Sequence, residues 1–401
     1  MTQRLYRDDP YLLEFEAEVV SRRDHGGRPA VVLDRTAFYA ESGGQPSDQG
    51  VLGGVAVLEV IEDGGEVVHV LGAALAGERV RGLVDADRRR DHRQQHHGQH
   101  LLSRAFVRTA GAGTVSFHLG AEHCTIDLDR EVGDEQARAA ETLANQVIWD
   151  ARPVAVRTVT RKEALALGVT PPEEAGDTVR LVEAEGFDLQ PCGGTHPRST
   201  AEVGVVIVVG RERHKGGSRV RFVCGHRALT LIRRRNAILD SLGTHFSAPA
   251  EALPEAATRL LDGLAEANRR AAHLLDRALD GEARRLLSGA SADAAGASSA
   301  PAIVVATYDA WPAADLRTLA QRLVALAPCV ALLASRSDAA YLVFAQTDGL
   351  GHDIPALLRA AVETVDGRGG GKGNLAQGGG DRLDRLPEAL DAAAAAVRAR
   401  G

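Results

Sequence analysis

Aromatic residues make up only 4% of this 401-residue chain, and methionine occurs once. No apolar run approaches the ~20 residues a membrane-spanning helix needs, so a membrane protein is not expected. The opening ten residues, Met1 to Pro10, contain no apolar stretch, which argues against a secretory leader. The four cysteines, Cys124, Cys192, Cys224 and Cys329, are widely spaced and form no C-x-x-C pair. That excludes a disulfide scaffold and a zinc ribbon, and it fits a reducing, cytoplasmic setting. There is no excess of positive charge either: 47 Lys and Arg against 54 Asp and Glu leave a formal charge of −7. A nucleic-acid partner would have to be met by local basic patches. What is abundant is ordinary for a globular protein, 44% hydrophobic and 25% charged, so disorder of the whole chain is excluded. At ~150 residues per domain the length suggests two to four domains. The surplus of Ala, Gly and Arg reads as coding bias without functional meaning.

Residues 1–90 read as β, with short alternating apolar runs at Ala30–Leu33, Val55–Leu58 and Val67–Leu71 broken by Gly and Asp. A small barrel is the economical expectation. From Asp91 to about Arg108 the pattern turns helical, with Leu101, Leu102 and Phe106 on one face. Residues 114–225 mix strands and helices, and Val205–Val209 can pair with Val220–Val223. From about Ala228 to Ser288 the chain reads as helix broken near Pro254. Within it Leu253, Ala257, Leu260, Leu264, Ala267, Ala271, Leu274 and Ala278 form a heptad seam. That seam suits a helical hairpin, an intermolecular coiled coil or a helix packed on its own domain. Gly289–Pro301 is a linker by composition. Strands near Ile303–Ala306, Val330–Ala334 and Tyr341–Ala345 alternate with helices in a βα manner. No internal repeat is present.

His96 and His100 are four apart on the expected helix, which puts both imidazoles on one face. Cys192 and His196 form a second pair around Gly193-Gly194-Thr195, where glycine allows a tight turn. Three imidazoles and one thiolate suit Zn²⁺. A zinc protease is excluded because His97 stands where its general-base Glu would be. Four ligands bound at once would close the site, so the spacing alone leaves open whether the metal is catalytic or positions substrate.

The segment Gln95-His96-His97-Gly98-Gln99-His100-Leu101-Leu102-Ser103, with Cys192-Gly193-Gly194-Thr195-His196, closely resembles the editing domain of alanyl-tRNA synthetases and their free-standing AlaX relatives. A related module occurs in threonyl-tRNA synthetases. The stretch Thr36–Gly50, containing Glu41-Ser42-Gly43-Gly44-Gln45, resembles the glycine-rich barrel motif of the alanyl branch. Lys215–Phe222 resembles the strand and loop closing the editing core. Gly369–Gly380 resembles the glycine-rich signature of the C-terminal accessory domain shared with DHH phosphoesterases. The resemblance spans nearly the whole chain and points to the long AlaX form. The chain begins close to the barrel motif, leaving no room before it for an aminoacylation domain. It contains no Asp-His-His run, so phosphoester hydrolysis is not expected.

The resemblance implies an α+β multidomain protein. Its parts would be a small β-barrel (1–90), a mixed α/β zinc-containing editing core (91–228), a helical hairpin or coiled-coil-like segment (229–289) and a C-terminal α/β accessory domain (290–401). It implies a trans-editing hydrolase that deacylates Ser-tRNA(Ala), with Gly-tRNA(Ala) as a second substrate. Serine differs from alanine by one hydroxyl, which an apolar synthetic pocket rejects only weakly, so a second site that bonds the hydroxyl is needed. The family pattern places Thr114 in that pocket and implies a catalytic role for Gln45, its Gly-Gly-Gln glutamine, which would line the pocket and orient a water or hold the substrate amino group. Glu41 could pair with the substrate ammonium or stabilise the barrel. His97 is expected beside a ligand or in solvent. For tRNA, the basic runs 88–93, 211–221 and 233–235 flank the core, with only Glu212 opposing in the second. Lys215, Arg219 and Arg221 are its expected contacts, and Lys372 and Asn374 those of the accessory domain, whose glycines could offer N–H groups to a phosphate. A homodimer through the helical and C-terminal regions is compatible with the seam. Two other readings stay open: a tRNA-binding regulator without hydrolysis, and a zinc hydrolase of small esters or amides that uses no tRNA.

Overall fold

The computed structural model describes residues 2–173, 176–293 and 301–400, and these divide into two compact units, Met1–His245 and Phe246–Gly401. The architecture is α+β. In the first unit, strands β1 (Glu14–His25), β2 (Arg28–Leu33), β3 (Gly50–Leu52), β4 (Val55–Asp63), β5 (Glu66–Leu71) and β6 (Arg79–Val84) each pair with two neighbours. The order β1-β2-β5-β4-β3-β6 returns to β1. Strict alternation builds it: along β6, Val80, Gly82 and Val84 are buried and Arg79, Arg81 and Leu83 exposed. Phe15 and Phe38 meet edge to face inside, with centroids 5.7 Å apart.

His69 on β5 is fully buried in this ring. Its Nε2 lies 2.8 Å from Thr36 Oγ1, its Nδ1 3.3 Å from Val31 O. Burial pushes its pKa down to about 4. Below its ordinary value of ~6.5 the unfolded chain takes up a proton that the folded chain refuses, so stability falls as pH drops through that window. Between pH 7 and pH 5 this costs about 2 kcal/mol through His69. Urea unfolding followed by amide exchange in β5 should show a shallower pH slope in His69→Gln. An unchanged slope contradicts the assignment.

Helix α1 (Ala86–Ala110) follows β6. It starts five residues before the expected Asp91, because Asp85 caps it, accepting from the backbone N–H groups of Asp87 and Arg88. Gly111, at φ 61°, ends it in the left-handed conformation. A four-stranded antiparallel sheet packs on α1 and α2 (Asp134–Trp149). Its order is β12 (Val206–His214), β13 (Gly217–Cys224), β8 (Cys124–Leu128), β7 (Thr114–Leu119). Val206 faces Cys224 and Val208 faces Phe222, matching the expected strand pair. A three-stranded sheet of β9 (Val154–Thr160), β10 (Thr178–Ala184) and β11 (Asp188–Pro191) leads to Cys192. Helix α3 (Gly225–Phe246) closes the unit.

In the second unit, α4 (Leu253–Asp293) is 41 residues long. The helical stretch breaks at 247–249, and Pro254 sits in the first turn of α4, where its missing N–H costs nothing. The heptad leucines Leu260, Leu264 and Leu274 are exposed. Residues 289–293 of the expected linker continue this helix, and 294–300 lie outside the described residues. A five-stranded sheet follows, β14 (Ala302–Asp309), β15 (Cys329–Arg336), β16 (Ala340–Gln346), β18 (Leu375–Gly380), β17 (Gly367–Lys372) in spatial order. Helix α5 (Ala313–Leu326) makes the parallel crossover from β14 to β15. The glycine-rich run is an antiparallel hairpin, not a loop of free N–H groups. Its glycines serve close approach: a Cβ on Gly378 would lie 2.6 Å from Gly369 Cα and 2.8 Å from Val362 Cγ1 on the helix behind, α6 (Ile354–Thr364).

Candidate metal centre

His96 and His100 occupy one face of α1, buried where the helix enters the mixed core. Cys192 and His196 come back to them from the end of β11. The four ligand atoms all lie within 4.8 Å of one another, and the cluster can hold a metal ion. Cys192 Sγ is 3.2 Å from His96 Nε2 and 3.1 Å from His196 Nε2. Burial alone would raise the thiol, but the neighbouring imidazoles outweigh it and hold its pKa well below the usual value. Burial pushes His196 down to about 3. His100 goes the other way: burial opposes its charge, yet the Cys192 thiolate and Asp188 lift it to about 9. A thiolate among imidazoles is the state a metal selects, and metal would displace the proton from His100.

The groups around the cluster fix it. Ser42-Gly43-Gly44-Gln45 is a tight turn closed by Ser42 and Gln45, with φ of 56° and 81° at the two glycines, which demands glycine there. It aims Gln45, fully buried, at the cluster. Gln45 Oε1 is 2.7 Å from His96 Nδ1 and accepts from the Thr195 backbone N–H, while its amide donates to Thr195 Oγ1. His96 Nδ1 therefore carries the proton and Nε2 keeps its lone pair for a metal. The turn's base is pinned by a buried ion pair. Arg89 Nε donates to Asp48 Oδ2 at 3.0 Å, and Asp48 accepts from the Tyr39 N–H.

Three supports escape the motif reading. Arg180 donates to the carbonyls of Cys192 and Gly194, clamping the second ligand turn. Gln190 lies 2.6 Å from His100 Nδ1 and donates to Asp188. Asp188, Gln190 and Cys192 are spaced by two, the one-face period of a strand, and that spacing was the available signal. Arg180 had none. His97 is buried, not in solvent; its Nδ1 lies 3.1 Å from His196 Nδ1.

Other expected residues spread out. Thr114 is half-buried and donates to Ser103 Oγ at 2.7 Å, which also accepts from Gln99. Ser103 is one turn beyond His100 on α1. Glu41 is exposed. Lys215, at φ 46°, forms the tip between β12 and β13, and Arg221 is exposed. Arg219 is engaged twice by Asp127. Lys372 is exposed beside the hairpin tip, while Asn374 bonds Gln346 and Asp348.

Two basic runs differ from expectation. In 88–93, Arg89 is buried on Asp48 and Arg93 stacks on Tyr11 at 3.8 Å, so that run is not a solvated patch. In 211–221, Arg211, Arg213 and Arg219 pair with Asp134, Glu131 and Asp127, carboxylates distant in sequence from the run itself.

The profile of the tRNA synthetases class II (A) family matches residues 11–88, that of the threonyl and alanyl tRNA synthetase second additional domain residues 179–222, and that of the DHHA1 domain residues 300–399. The chain is 31% identical to alanyl-tRNA editing protein AlaX-L of Pyrococcus horikoshii, covering 97% of this chain and 96% of that one. It is 32% identical to the alanine–tRNA ligases of Natronomonas pharaonis and Pyrococcus abyssi, over 99% and 97% of this chain. It spans only 44% and 43% of those ligases' length.

Proposed function

The chain belongs to the family of the alanyl-tRNA editing protein AlaX-L, and from that premise we propose that it hydrolyses the ester of mischarged Ser-tRNA(Ala), and of Gly-tRNA(Ala), in trans. The observation that carries this reading is the convergence of His96, His100, Cys192 and His196, with Gln45 bonded to the first of them. The donor set fits zinc. Zn–N bonds of about 2.0–2.1 Å and a Zn–S bond of about 2.3 Å put tetrahedral donors roughly 3.3–3.6 Å apart, close to the sulfur–nitrogen contacts here. His96, His100, Cys192 and His196 would hold the zinc, which would supply Lewis acidity to the site.

The chain's own residues do the rest. Gln45 is a positioning residue: every polar atom of its amide is taken by His96 or Thr195, so it holds the ligand turn and His96 together. Thr114 Oγ1 gives its proton to Ser103 and retains acceptor capacity. That acceptor suits the hydroxyl of a seryl group and has nothing to bond in an alanyl one. Glu41, exposed at the glycine turn, suits the substrate ammonium. Lys215 and Arg221 suit RNA phosphates of the acceptor stem, and Lys372 a second RNA contact, while the Asn374 amide is taken by Gln346 and Asp348. The exposed leucines of α4 suit pairing with a second copy of the chain.

Thr114→Val separates recognition from hydrolysis. Loss of one hydrogen bond to the substrate hydroxyl is worth about 1–1.5 kcal/mol, or roughly tenfold in rate. Deacylation of Ser-tRNA(Ala) should fall about tenfold while Gly-tRNA(Ala), which has no side chain to recognise, is hydrolysed as before. Equal losses on both would place Thr114 outside the serine pocket.

A further inference from the structure

A cavity of about 500 Å³ lies in the first unit, one helical turn before the metal ligands. Its wall includes Pro46, the residue after Gln45, and Leu119 and Gly120 at the end of β7. The Gly44 carbonyl accepts from Leu119 N–H, so the glycine turn and β7 are joined there. The opposite wall is the start of α1 and of α3. His92 is on the same stripe of α1 as His96 and His100, at steps of four. The cavity therefore lies about one helical turn, roughly 6 Å along α1, from the metal ligands.

The lining is unbalanced in charge. Asp87 pairs with Arg90, and Asp91 holds Arg227 at 2.6 Å. Both carboxylates are thus neutralised, and Arg88 is left over. It is half-buried, its Nε donates to the Ser47 carbonyl, and it has no carboxylate partner among the described residues. His226 adds a further group at the rim. His92 lines the cavity, is 2% exposed, and its Nδ1 has no hydrogen-bond partner among the described residues. A buried polar atom of that kind is rare unless a ligand or water completes it. Burial first, and then Arg88, push His92 down to about 4, so at neutral pH it offers a hydrogen bond and no charge. The N-terminal end of α1 also favours negative charge.

We propose that this cavity binds the phosphate-bearing 3′-terminal nucleotides of the RNA whose ester is cleaved, with Arg88 taking a phosphate oxygen and His92 bonding the same nucleotide. The proposal rests on the ester-hydrolase reading above, because the nucleotides next to the ester are the only part of an RNA substrate held within a turn of the metal centre. Neither Arg88 nor His92 hydrogen-bonds a metal ligand among the described residues.

The test is equilibrium binding of a CCA trinucleotide to full-length, zinc-loaded protein and to Arg88→Glu and Arg88→Lys. Arg88→Glu should weaken binding at least tenfold and lower the salt dependence of log K by about 0.7, the share of one phosphate on a single strand. Arg88→Lys, which loses the bond to Ser47 but keeps the charge, should stay within about threefold of wild type. Equal binding by all three proteins overturns the proposal, as does a loss in Arg88→Lys as large as in Arg88→Glu. Should Arg88→Glu fail to fold, the trinucleotide carrying a photoreactive 3′ adenine is cross-linked to the wild type. Label on the peptides around 117–121 or 226–227 supports the cavity, and label elsewhere overturns it. Wild type that cleaves Ser-tRNA(Ala) yet binds the trinucleotide independently of Arg88 defeats this proposal alone. Arg88-dependent binding without cleavage of any aminoacyl-tRNA supports the cavity and defeats the hydrolase reading alone.

Discussion

Replacing Cys192 with alanine should empty the metal centre and lower deacylation of Ser-tRNA(Ala) by at least about 100-fold. Cys192 is the one donor of the four that carries a full negative charge. Three imidazoles stabilise its thiolate, and Sγ stands 3.2 Å and 3.1 Å from two of their nitrogens. The Gly194 N–H also points at it, at 3.4 Å. Removing the sulfur leaves three nitrogens, one of which, on His100, was held charged partly by that thiolate. Serine in its place fares no better, since its hydroxyl is not ionised near neutral pH. Zinc content by mass spectrometry and deacylation should therefore fall together in Cys192→Ala and Cys192→Ser. Cys329→Ala is the control. Burial raises that thiol to about 11, and it belongs to the C-terminal core, so zinc and activity should stay at wild-type levels. Zinc retained in Cys192→Ala at wild-type affinity would contradict the ligand assignment.

The second large effect separates two adjacent glycines. A Cβ added to Gly194 would lie 2.3 Å from His96 Cε1, 2.6 Å from its Nδ1 and 2.9 Å from Gln45 Oε1. None of these is the free end of a flexible chain. The ring is held by α1 and by Gln45, and Gln45 is held by Thr195. Either His96 turns off the metal or the Cys192–His196 turn withdraws. At Gly193 the same added carbon meets nothing within 4 Å. Gly194→Ala should weaken zinc binding about 10–100-fold, the usual cost of disturbing a group that orients a ligand, with a matching fall in deacylation. Gly193→Ala should match wild type in both. Competition against a chromogenic chelator reads the affinity directly. Equal behaviour of the two variants would mean that Gly194 is not packed against His96.

What the sequence made visible is what local spacing encodes. His96 and His100 can be read because a helix brings residues four apart to one face, and Cys192 and His196 because two glycines let a turn close. The pairing of β12 with β13 is legible from two apolar runs and a glycine turn. The C-terminal strands β14 to β16 are legible from their apolar runs alone. What stayed hidden depends on partners far along the chain. Arg89 sits in a run of charges that looks solvated, and only its distant partner Asp48 makes it a buried clamp. Arg211, Arg213 and Arg219 look like a basic track until Asp134, Glu131 and Asp127 arrive from other elements. The glycine-rich run near Lys372 reads as a source of N–H groups for a phosphate because composition cannot show that Gly369 and Gly378 face each other across a hairpin. Arg180 holds the Cys192 turn through carbonyls, and nothing in its neighbours announces that.

The most direct test of the account is single-turnover release of serine from Ser-tRNA(Ala) by full-length, zinc-loaded protein, measured beside alanine release from Ala-tRNA(Ala) and beside Cys192→Ala. The account predicts that serine is released at least about tenfold faster than alanine, the worth of the one hydrogen bond to the substrate hydroxyl, and that Cys192→Ala loses deacylation. Zinc-replete protein that binds Ser-tRNA(Ala) and leaves its ester intact would contradict the hydrolase and leave a tRNA-binding protein with an editing-type fold.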